Sequence, residues 1–513
     1  MAGSVDLHKV SKFANMAIPS LAVLFFVGGV YVSFYFHFLT VAFILLTVVN
    51  LFYLHIQRKH TILRNFGILG QARYFIESIG PEMRQYLFAN DTEERPFNRI
   101  ERSEIYRKAK GVDSASSFGS QLDFDNSEIK IRHSMYPVNM DQITPFSLTF
   151  GEERGLKKAF TITKPYMISA MSYGALGENA VRALTRGAKL AGIPMNTGEG
   201  GTPKYHMEEG GDLIFQMGTA KFGVRNDDGS LNDQLLLDLI ANDSIKMIEI
   251  KLSQGAKPGK GGLLPKEKIT KEISELRSVP MGVDVVSPAH HIECTDGEST
   301  IKFIKRVQDL TQIPCGIKLC VGKTTEFREI IREMKAQDIF PDYIAIDGAE
   351  GGTGAAPKAF MDGYGMPLMA AIYSANKILT DEGVRNRTKI LASGKLINSN
   401  KQFIALALGA DAVCSARGFM LALGCIQSML CGNNTCPAGI TTHDPELQRG
   451  LDVEEKSTRI ANYVNGLEHD FYEMLAASGI REAKDINIDH LYIPSDTALS
   501  DQIQFIVKET SEY

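Results

Sequence analysis

The sequence has no tryptophan and only seven cysteines in 513 residues, and its net charge is a modest −5. A charge of this size gives no reason to expect binding to nucleic acid. The odd cysteine count and the lack of a cleavable signal peptide argue against a disulfide-stabilised secreted protein. A strand followed by Gly-x-Gly-x-x-Gly and a helix is not evident either, which argues against a dinucleotide site on this chain.

Charge is missing from one long stretch near the N-terminus. Residues 14–56 contain no Asp, Glu, Lys or Arg. A membrane-spanning helix needs about 20 apolar residues, so this run fits two crossings joined by a tight turn near residues 35–38. It is too long and continuous for a signal peptide, and a buried hairpin of a soluble protein is the alternative. Basic residues at both ends predict that both ends, and the main body, are cytoplasmic.

Three of the few cysteines lie close together in LALGCIQSMLCGNNTCPAGITTHD, residues 421–444. Cys425, Cys431 and Cys436 are separated by five and four residues, which differs from the paired spacing of zinc sites. A disulfide, plain buried thiols and an iron–sulfur cluster with three thiolate ligands all remain open from spacing alone. With three ligands, one corner of a cubane cluster is either absent, as in a three-iron cluster, or bound by another group.

The rest of the chain alternates between strand-like and helix-like patterns. Amphipathic stretches such as residues 178–191 and 325–336 separate short apolar runs, and the strand–turn–helix unit repeats about eight times. The runs are YMISAMS, GIPMNTGEGG, DLIFQMG, MIEIKLSQG, GVDVVSP, PCGIKLC, YIAIDGAEGGTG, KILASG and DAVCSARG. This pattern favours an α/β fold, a (βα)8 TIM barrel, over a doubly wound sheet.

We predict four segments along the chain. Residues 1–57 form a transmembrane helical hairpin, and residues 58–140 form a connecting segment with some helix between Gln71 and Leu87. Residues 141–485 form the barrel with the cysteine loop, and residues 486–513 form a C-terminal tail.

In such a barrel, the chemistry lies where strands end and loops begin. SAMS, residues 169–172, offers hydroxyl and backbone groups, and NTGEGG places Glu199 among glycines that let a ligand approach closely. Gln216, Lys251 and Lys318 lie at or near the ends of apolar strands. A buried lysine is costly unless it meets an anion, and although one lysine could reach to water, three such positions together favour a site.

The loops after the last three strands indicate a phosphate site. They read DGAEGGTGAAP, ASGKL and SARGF, and Lys395 and Arg417 add positive charge. Loops after the seventh and eighth strands bind phosphate in many barrels. Flavin mononucleotide (FMN) fits, as do a sugar phosphate or a nucleotide. In AHH, residues 289–291, adjacent side chains point in opposite directions and cannot bind one metal ion together, and we expect a role in the loop and not in catalysis.

Six motifs occur in consecutive order between residues 166 and 444: SAMSYGALGENA, NTGEGG, QMGTAKFGV, IKLSQGAKPGKGGLLP, GGTGAAP and the cysteine run ending in NNTCPAGITTHD. Together they resemble the synthase domain of glutamate synthase. With its N-terminal hairpin and no glutaminase domain, the chain is similar to stand-alone, membrane-anchored, FMN-binding members of that family.

The resemblance implies cofactors and site residues. It implies FMN in the barrel and a [3Fe–4S] cluster bound by Cys425, Cys431 and Cys436. It implies that Glu199, Lys251 and Gln254 are catalytic residues facing 2-oxoglutarate or an imine. The implied flavin-binding residues are Ser169, Ala170, Met171, Ser172, Gln216, Lys318, Gly351, Gly352, Gly394, Lys395, Arg417 and Gly418, of which the last four lie near the phosphate.

The resemblance also implies a reaction of glutamate biosynthesis. Electrons would pass from the cluster to FMN, and reduced FMN would reduce an imine formed from a 2-oxo acid and ammonia or an amine. The ammonia would arrive free, from a partner or as another amine, and the electrons from a protein donor or a membrane carrier. A membrane-linked FMN and iron–sulfur dehydrogenase of another substrate, and a non-catalytic membrane-tethered barrel, are the alternatives. IECTDGES, which follows the histidine pair, departs from the family pattern.

Overall fold

The computed structural model describes residues 7–112, 115–122, 124, 128–201 and 203–511. The chain divides into two compact units, Met1–Arg99 and Ile100–Tyr513. The segment boundaries given above stay predictions.

The first unit begins with a hairpin of two apolar helices, α1 (Leu7–Tyr31) and α2 (Phe36–Leu51). A π-helical turn, Phe52–Ile56, extends α2. The stretches Val10–Tyr31 and Phe36–Ile56 are each long and apolar enough to cross a membrane. The turn between the helices occupies residues 32–35, slightly earlier than expected.

Shorter helices follow the hairpin. They are Thr61–Phe66, the 3-10 turn Gly67–Leu69, Gly70–Met83, the π-helical turn Arg84–Phe88, and Arg99–Ala109.

The second unit contains a closed barrel of eight parallel strands, as predicted. The strands are β1 (Tyr166–Ile168), β2 (Met195–Asn196), β3 (Leu213–Met217), β4 (Ile245–Lys251), β5 (Cys315–Leu319), β6 (Tyr343–Asp347), β7 (Lys389–Ser393) and β8 (Ala412–Ser415). β8 pairs with β1, with Cys414 opposite Met167, and this pairing closes the barrel.

One of the nine expected runs, GVDVVSP, is not a barrel strand. Its residues Val285–Val286 pair antiparallel with Leu263–Leu264. Two other antiparallel pairs lie outside the barrel, Lys130–Ile131 with Leu491–Tyr492 and Leu148–Phe150 with Phe160–Ile162.

Helices surround the barrel, and the first shows why they form. Glu178–Ala191 buries Ala180, Leu184 and Ala188 at helical spacing, and it ends at Gly192, whose φ of +69° is readily adopted by glycine. The other α-helices are Lys204–Glu208, Asp233–Ile240, Lys271–Arg277, Gly297–Thr311, Thr324–Gln337, Lys358–Gly363, Leu368–Asp381, Ser399–Ala407, Arg417–Leu423, Pro445–Gln448, Val453–Ala477 and Ala498–Ser511. The 3-10 turns are Met140–Gln142, Lys266–Lys268, Arg385–Arg387, Ala483–Asp485 and Ile488–His490.

Aromatic side chains fill the N-terminal end of the barrel. The ring of Phe150 packs edge-on against that of Tyr343, with 5.6 Å between the centroids, and both residues are fully buried. The Tyr343 hydroxyl donates to the carbonyl of Ile248 at 3.1 Å. Charged side chains collect at the opposite end, where the strands give way to loops.

Candidate active site

Glu199 and Lys251 form an ion pair at the C-terminal ends of β2 and β4. The Lys251 Nζ lies 2.6 Å from the Glu199 Oε1. Glycines make room for this carboxylate, because a Cβ on Gly218 would lie 2.3 Å from Oε2 and one on Gly262 would lie 2.4 Å from Oε1. A larger residue at either glycine would displace the carboxylate.

Two more cations surround this pair, and sequence reasoning missed both. Lys257 is buried and donates to the carbonyl of Ala355 at 2.9 Å. Arg277 is buried, and its Nη2 donates to the carbonyl of Tyr173 at 2.9 Å. Its Nε is buried and has no hydrogen-bond partner in the described part of the chain. From the sequence, both residues are expected at the surface, because Lys257 lies in a loop with proline, glycine and a second lysine, and Arg277 lies at the end of a charged helix.

The pKa values report how these charges interact. Burial would raise the pKa of Glu199, but Lys251, with help from Lys257 and Arg277, outweighs burial and holds the pKa below its usual value. Burial, and then the charge of Lys251, lower the pKa of Lys257 to about 8. Burial lowers the pKa of Arg277 to about 10, although Glu199 opposes this change. The site thus holds one carboxylate among three buried cationic groups.

The loop after β4 is held in place by backbone contacts. The carbonyl of Gln254 accepts from the amide of Lys257 at 3.4 Å, which places both residues in one turn. The buried His291 ring contacts the carbonyl of Lys251 through Nε2 at 2.9 Å, and burial lowers its pKa to about 4. His291 is therefore neutral near pH 7, and it positions the end of β4.

A buried carboxylate that the sequence did not reveal lies inside the barrel. Glu249 Oε1 accepts from Gln216 Nε2 at 2.6 Å and from Asn196 Nδ2 at 2.8 Å. Lys318 Nζ lies 3.7 Å from the Asp347 Oδ2. Burial would lower the pKa of Lys318, but Asp347 and Glu249 outweigh it and raise the pKa, so this lysine stays charged.

The segment after β1 lines the same rim. The Ser169 amide donates to the carbonyl of Ser415 at 2.9 Å, and its hydroxyl lies 3.4 Å from that of Ser393. The carbonyl of Met171 contacts His206 Nε2 at 3.2 Å. Ser172 lies 3.5 Å from the Arg277 Nη2, and the half-buried Ala170 lies between these positions. This segment therefore runs from β8 towards the cluster of cations.

The loops after β6, β7 and β8 bring two cations together. Arg417 donates from Nη2 to the carbonyl of Glu350 at 2.5 Å. Lys395 has a φ of +51° and follows Gly394, whose φ is +144°. Burial lowers the pKa of both cations, and the charge of Arg417 lowers that of Lys395 further. The two like charges are therefore close enough to repel each other.

Three glycines shape these loops. The Gly351 amide donates to the carbonyl of Gly348 at 2.8 Å. A Cβ on Gly352 would lie 2.9 Å from the Arg417 Nε, so this glycine lets the guanidinium lie against the backbone. A Cβ on Gly418 would lie 2.6 Å from the Tyr463 hydroxyl, so Gly418 also serves packing against the helix Val453–Ala477.

The three clustered cysteines influence one another's protonation. All seven cysteines of the chain are free. Burial raises the pKa of Cys425 to about 11, and burial followed by the charge of Cys436 raises that of Cys431. Cys436 differs: burial would raise its pKa, but backbone amides, including those of Thr441 and Ile440, outweigh burial and lower it. Amides directed at sulfur stabilise the thiolate, the form in which cysteine binds metal.

A buried lysine and one further amide complete the surroundings of the cysteines. The Gln427 amide donates to the Cys425 sulfur at 3.5 Å. Lys268 donates to the carbonyl of Ala175 at 2.6 Å, and burial lowers its pKa to about 8, while Cys431 and Cys436 oppose that change. The sulfur atoms of the three cysteines are not all within 4.8 Å of one another. Among the described residues, three ligand atoms come that close at His469, Asp470 and Glu473.

Comparison with known proteins gives consistent matches. A family model described as a conserved region in glutamate synthase matches residues 98–481. The chain is 39% identical to the glutamate synthase large subunit-like protein YerD of Bacillus subtilis (strain 168), over 85% of this chain and 90% of that protein. It is 38% identical to an archaeal glutamate synthase (NADPH) of Methanocaldococcus jannaschii, over 63% of this chain and 60% of that protein.

Solved structures give a weaker likeness. A flavocytochrome b2 variant with sulfite bound matches at 13% identity and a TM-score of 0.47, over 86% of this chain and 90% of that one.

Proposed function

Because the chain belongs to the glutamate synthase family and is therefore an oxidoreductase, we propose that it reduces an imine formed from a 2-oxo acid, such as 2-oxoglutarate, and ammonia or an amine. In this proposal FMN binds at the C-terminal rim of the barrel, and electrons enter through a [3Fe–4S] cluster. The hairpin of α1 and α2 anchors the enzyme in a membrane.

The surplus of buried positive charge around Glu199 carries the proposal. Lys251, Lys257 and Arg277 lie at one side of the rim, and Glu199 balances only one of them. Burying unpaired cations is costly, so the arrangement favours an anionic ligand. A 2-oxo dicarboxylate has two negative charges and would neutralise the remaining two cations.

The residues of this side have separate tasks. Lys251, Lys257 and Arg277 would bind and orient the carboxylates of the oxo acid, and Gln254 would donate or accept a hydrogen bond there. Glu199 is ionised near pH 7, because its pKa is lowered. Its carboxylate would hold the Lys251 ammonium group in place beside the oxo acid and accept a hydrogen bond from the attacking amine.

The opposite side of the rim fits FMN. Burial and then the charge of Arg417 lower the pKa of Lys395, although Glu350 opposes this change, and a phosphate beside both cations would relieve their repulsion. Gly351, Gly352 and Gly394 keep the backbone open beside them, and Gly418 is the second residue of the helix Arg417–Leu423 that follows β8. Ser169, Ala170, Met171, Ser172, Gln216 and Lys318 line the rim between the two charged sides. When bound, FMN would supply hydride transfer to the imine.

The cysteine loop fits an iron–sulfur cluster better than a single ion. Cys425, Cys431 and Cys436 supply three thiol ligands, and backbone amides around Cys436 stabilise its thiolate. One zinc ion would need a fourth ligand and closely packed sulfur atoms. When bound, a three-iron cluster would supply one-electron transfer. Lys268 would partly balance the negative charge of the thiolates.

The two apolar helices support membrane anchoring. In the most apolar stretch of each helix, only 6% and 11% of the residues are buried, whereas a core helix of a soluble protein is mostly buried. Basic residues beyond both ends of the hairpin support a cytoplasmic location of both ends and of the barrel in this proposal. This location also favours the second candidate, a dehydrogenase of another substrate that exchanges electrons with a membrane carrier.

Titration of the purified full chain in detergent with 2-oxoglutarate tests the proposed site. We expect a flavin absorbance spectrum that changes on addition of the oxo acid and saturates, with weaker changes for a monocarboxylic 2-oxo acid. A flavin spectrum that no 2-oxo acid perturbs would favour the second candidate. A protein without flavin would contradict both.

A further inference from the structure

We propose that residues 70–88 form an amphipathic helix that lies on the membrane surface, with its apolar face in contact with lipid. This surface helix consists of Gly70–Met83 and its π-helical extension Arg84–Phe88. The inference rests on the proposed membrane crossing by the hairpin and goes beyond it, because the sequence indicated a connecting segment with some helix here but no contact with lipid.

Apolar side chains occupy one side of the surface helix. At about 100° per residue, they fall within about a third of its circumference. They are Phe75, Ile76, Ile79, Met83, Tyr86 and Leu87. The other side is mainly polar, although Tyr74 and Phe88 also lie there, and it includes an ion pair between Arg73 and Glu77 at 2.7 Å. The apolar side of the helix therefore suits contact with lipid, and the polar side suits contact with water.

The apolar side is exposed in the structure. The exposed fractions are 65% for Phe75, 62% for Ile76 and 65% for Leu87. Soluble proteins rarely expose a contiguous row of large apolar side chains unless the row contacts a partner or a membrane. The apolar side of the surface helix therefore requires an apolar environment.

Hydrogen bonds fix the start of the surface helix beside the base of the hairpin, the end opposite the turn at residues 32–35. The Asn50 side chain accepts from the Ile68 amide at 2.7 Å and donates to the Asn15 Oδ1 at 3.0 Å. The Ser11 hydroxyl donates to the carbonyl of Phe66 at 3.2 Å. Asn15 and Asn50 lie within two helical turns of the ends of the two apolar spans, so the surface helix begins near the level at which the hairpin would reach the headgroups.

The charge of this segment and of the residues just before it favours anionic headgroups. The surface helix itself contains two basic and two acidic residues, and the excess positive charge comes from Arg58, Lys59 and Arg64 just before it. Amphipathic helices that bind membranes combine an apolar face with basic residues that contact anionic lipids. Continuity with the exposed apolar hairpin therefore identifies lipid, and not a second protein, as the occupant of this face.

The absence of tryptophan provides a direct test, because each introduced tryptophan reports from one position only. Full-length variants Phe75→Trp (apolar face), Ser78→Trp (polar face) and Leu45→Trp (within α2) are reconstituted in vesicles of phosphatidylcholine and phosphatidylglycerol. Quenching is measured with lipids brominated at shallow or deep positions and with acrylamide in the water. Ile79→Trp gives a second reading of the apolar face.

We expect shallow brominated lipid to quench Phe75→Trp and Ile79→Trp, deep brominated lipid to quench Leu45→Trp, and acrylamide to quench Ser78→Trp. If Leu45→Trp contacts lipid but Phe75→Trp is as accessible to acrylamide as Ser78→Trp, the surface helix is refuted and the hairpin anchor stands. Shielding of Phe75→Trp from both quenchers would mean that protein covers the face, and it would also refute the inference. If lipid does not quench Leu45→Trp, the proposed membrane crossing itself fails.

Discussion

Glu199 and Lys251 reach each other from two different strand ends, and their side chains meet at 2.6 Å within a slot lined by glycines. The pair sits among more positive charge than it can balance, because Lys257 and Arg277 lie beside it. This imbalance favours an anionic ligand, and the proposed function and the predictions below depend on it and on the other charged features of the rim.

Replacement of Lys251 by Met should weaken oxo-acid binding. The variant loses a charge-assisted hydrogen bond of about 1.5–3 kcal/mol, which corresponds to an increase of about 10- to 100-fold in the dissociation constant. Flavin absorbance titration measures this change. Lys246→Met is the matched control, because Lys246 lies near the other end of β4, 3.8 Å from Asp212. Equal binding by both variants would show that Lys251 does not contact the ligand.

Oxo-acid binding should weaken as the pH rises through about 8. The pKa of Lys257 is lowered to about 8, so its ammonium group is charged below this pH and neutral above it. An anion binds better to the charged form, and affinity therefore falls on the alkaline side. Lys257→Arg should remove this fall, since arginine stays protonated. A fall with the same midpoint in Lys257→Arg would assign the titration to another group.

Reversal of charge at Arg417 should reduce FMN content. Loss of charge-assisted hydrogen bonds to the phosphate weakens FMN binding by about 10- to 100-fold for each bond. The flavin-to-protein ratio after purification measures this loss. Arg449→Glu is the control, because the Arg449 side chain is 78% exposed. A full flavin content in Arg417→Glu would remove the phosphate from this side of the rim.

Serine at any of the three clustered cysteines should remove the iron–sulfur cluster. Cys425→Ser, Cys431→Ser and Cys436→Ser are each expected to lose iron and sulfide, while FMN remains. The remaining cysteines serve as controls and should be replaceable without loss of iron: Cys294, Cys315, Cys320 and Cys414. Iron and sulfide analysis with electron paramagnetic resonance of the oxidised protein decides the matter. Zinc in place of iron would contradict the cluster.

Deletion of residues 1–57 should release the protein from membranes under alkaline washing, which leaves the full chain bound. The deletion removes both apolar spans and leaves the barrel intact. The released protein should keep its flavin, because the proposed flavin-binding residues all follow β1. A full chain that alkaline washing extracts would show that the hairpin does not cross the membrane.

The barrel could be predicted because its local signals agree. The helix Glu178–Ala191 was expected with these same bounds, since glycines precede and follow an amphipathic stretch. The run GVDVVSP was misleading because an isolated apolar run looks alike in a parallel barrel strand and in a short antiparallel pair. Only pairing partners, which are distant in sequence, separate the two.

Residues of the site could be predicted from the sequence only where they lie at the ends of barrel strands. Lys251 and Lys318 were found because a lysine after an apolar run is unusual. Lys257 and Arg277 were missed because they reach the site through the packing of long loops, which local sequence does not encode. Arg277 closes a short charged helix and looks exposed in the sequence, yet only 5% of it is exposed in the structure.

The reaction itself is tested most directly by anaerobic reoxidation of the reduced flavin. The enzyme is reduced without oxygen and mixed with 2-oxoglutarate and ammonium together, or with each alone. The account predicts rapid return of the oxidised flavin spectrum, with formation of glutamate, only when both are present, and a much slower return in Lys251→Met. A flavin that stays reduced with every combination of 2-oxo acid and amine would contradict the proposed reaction.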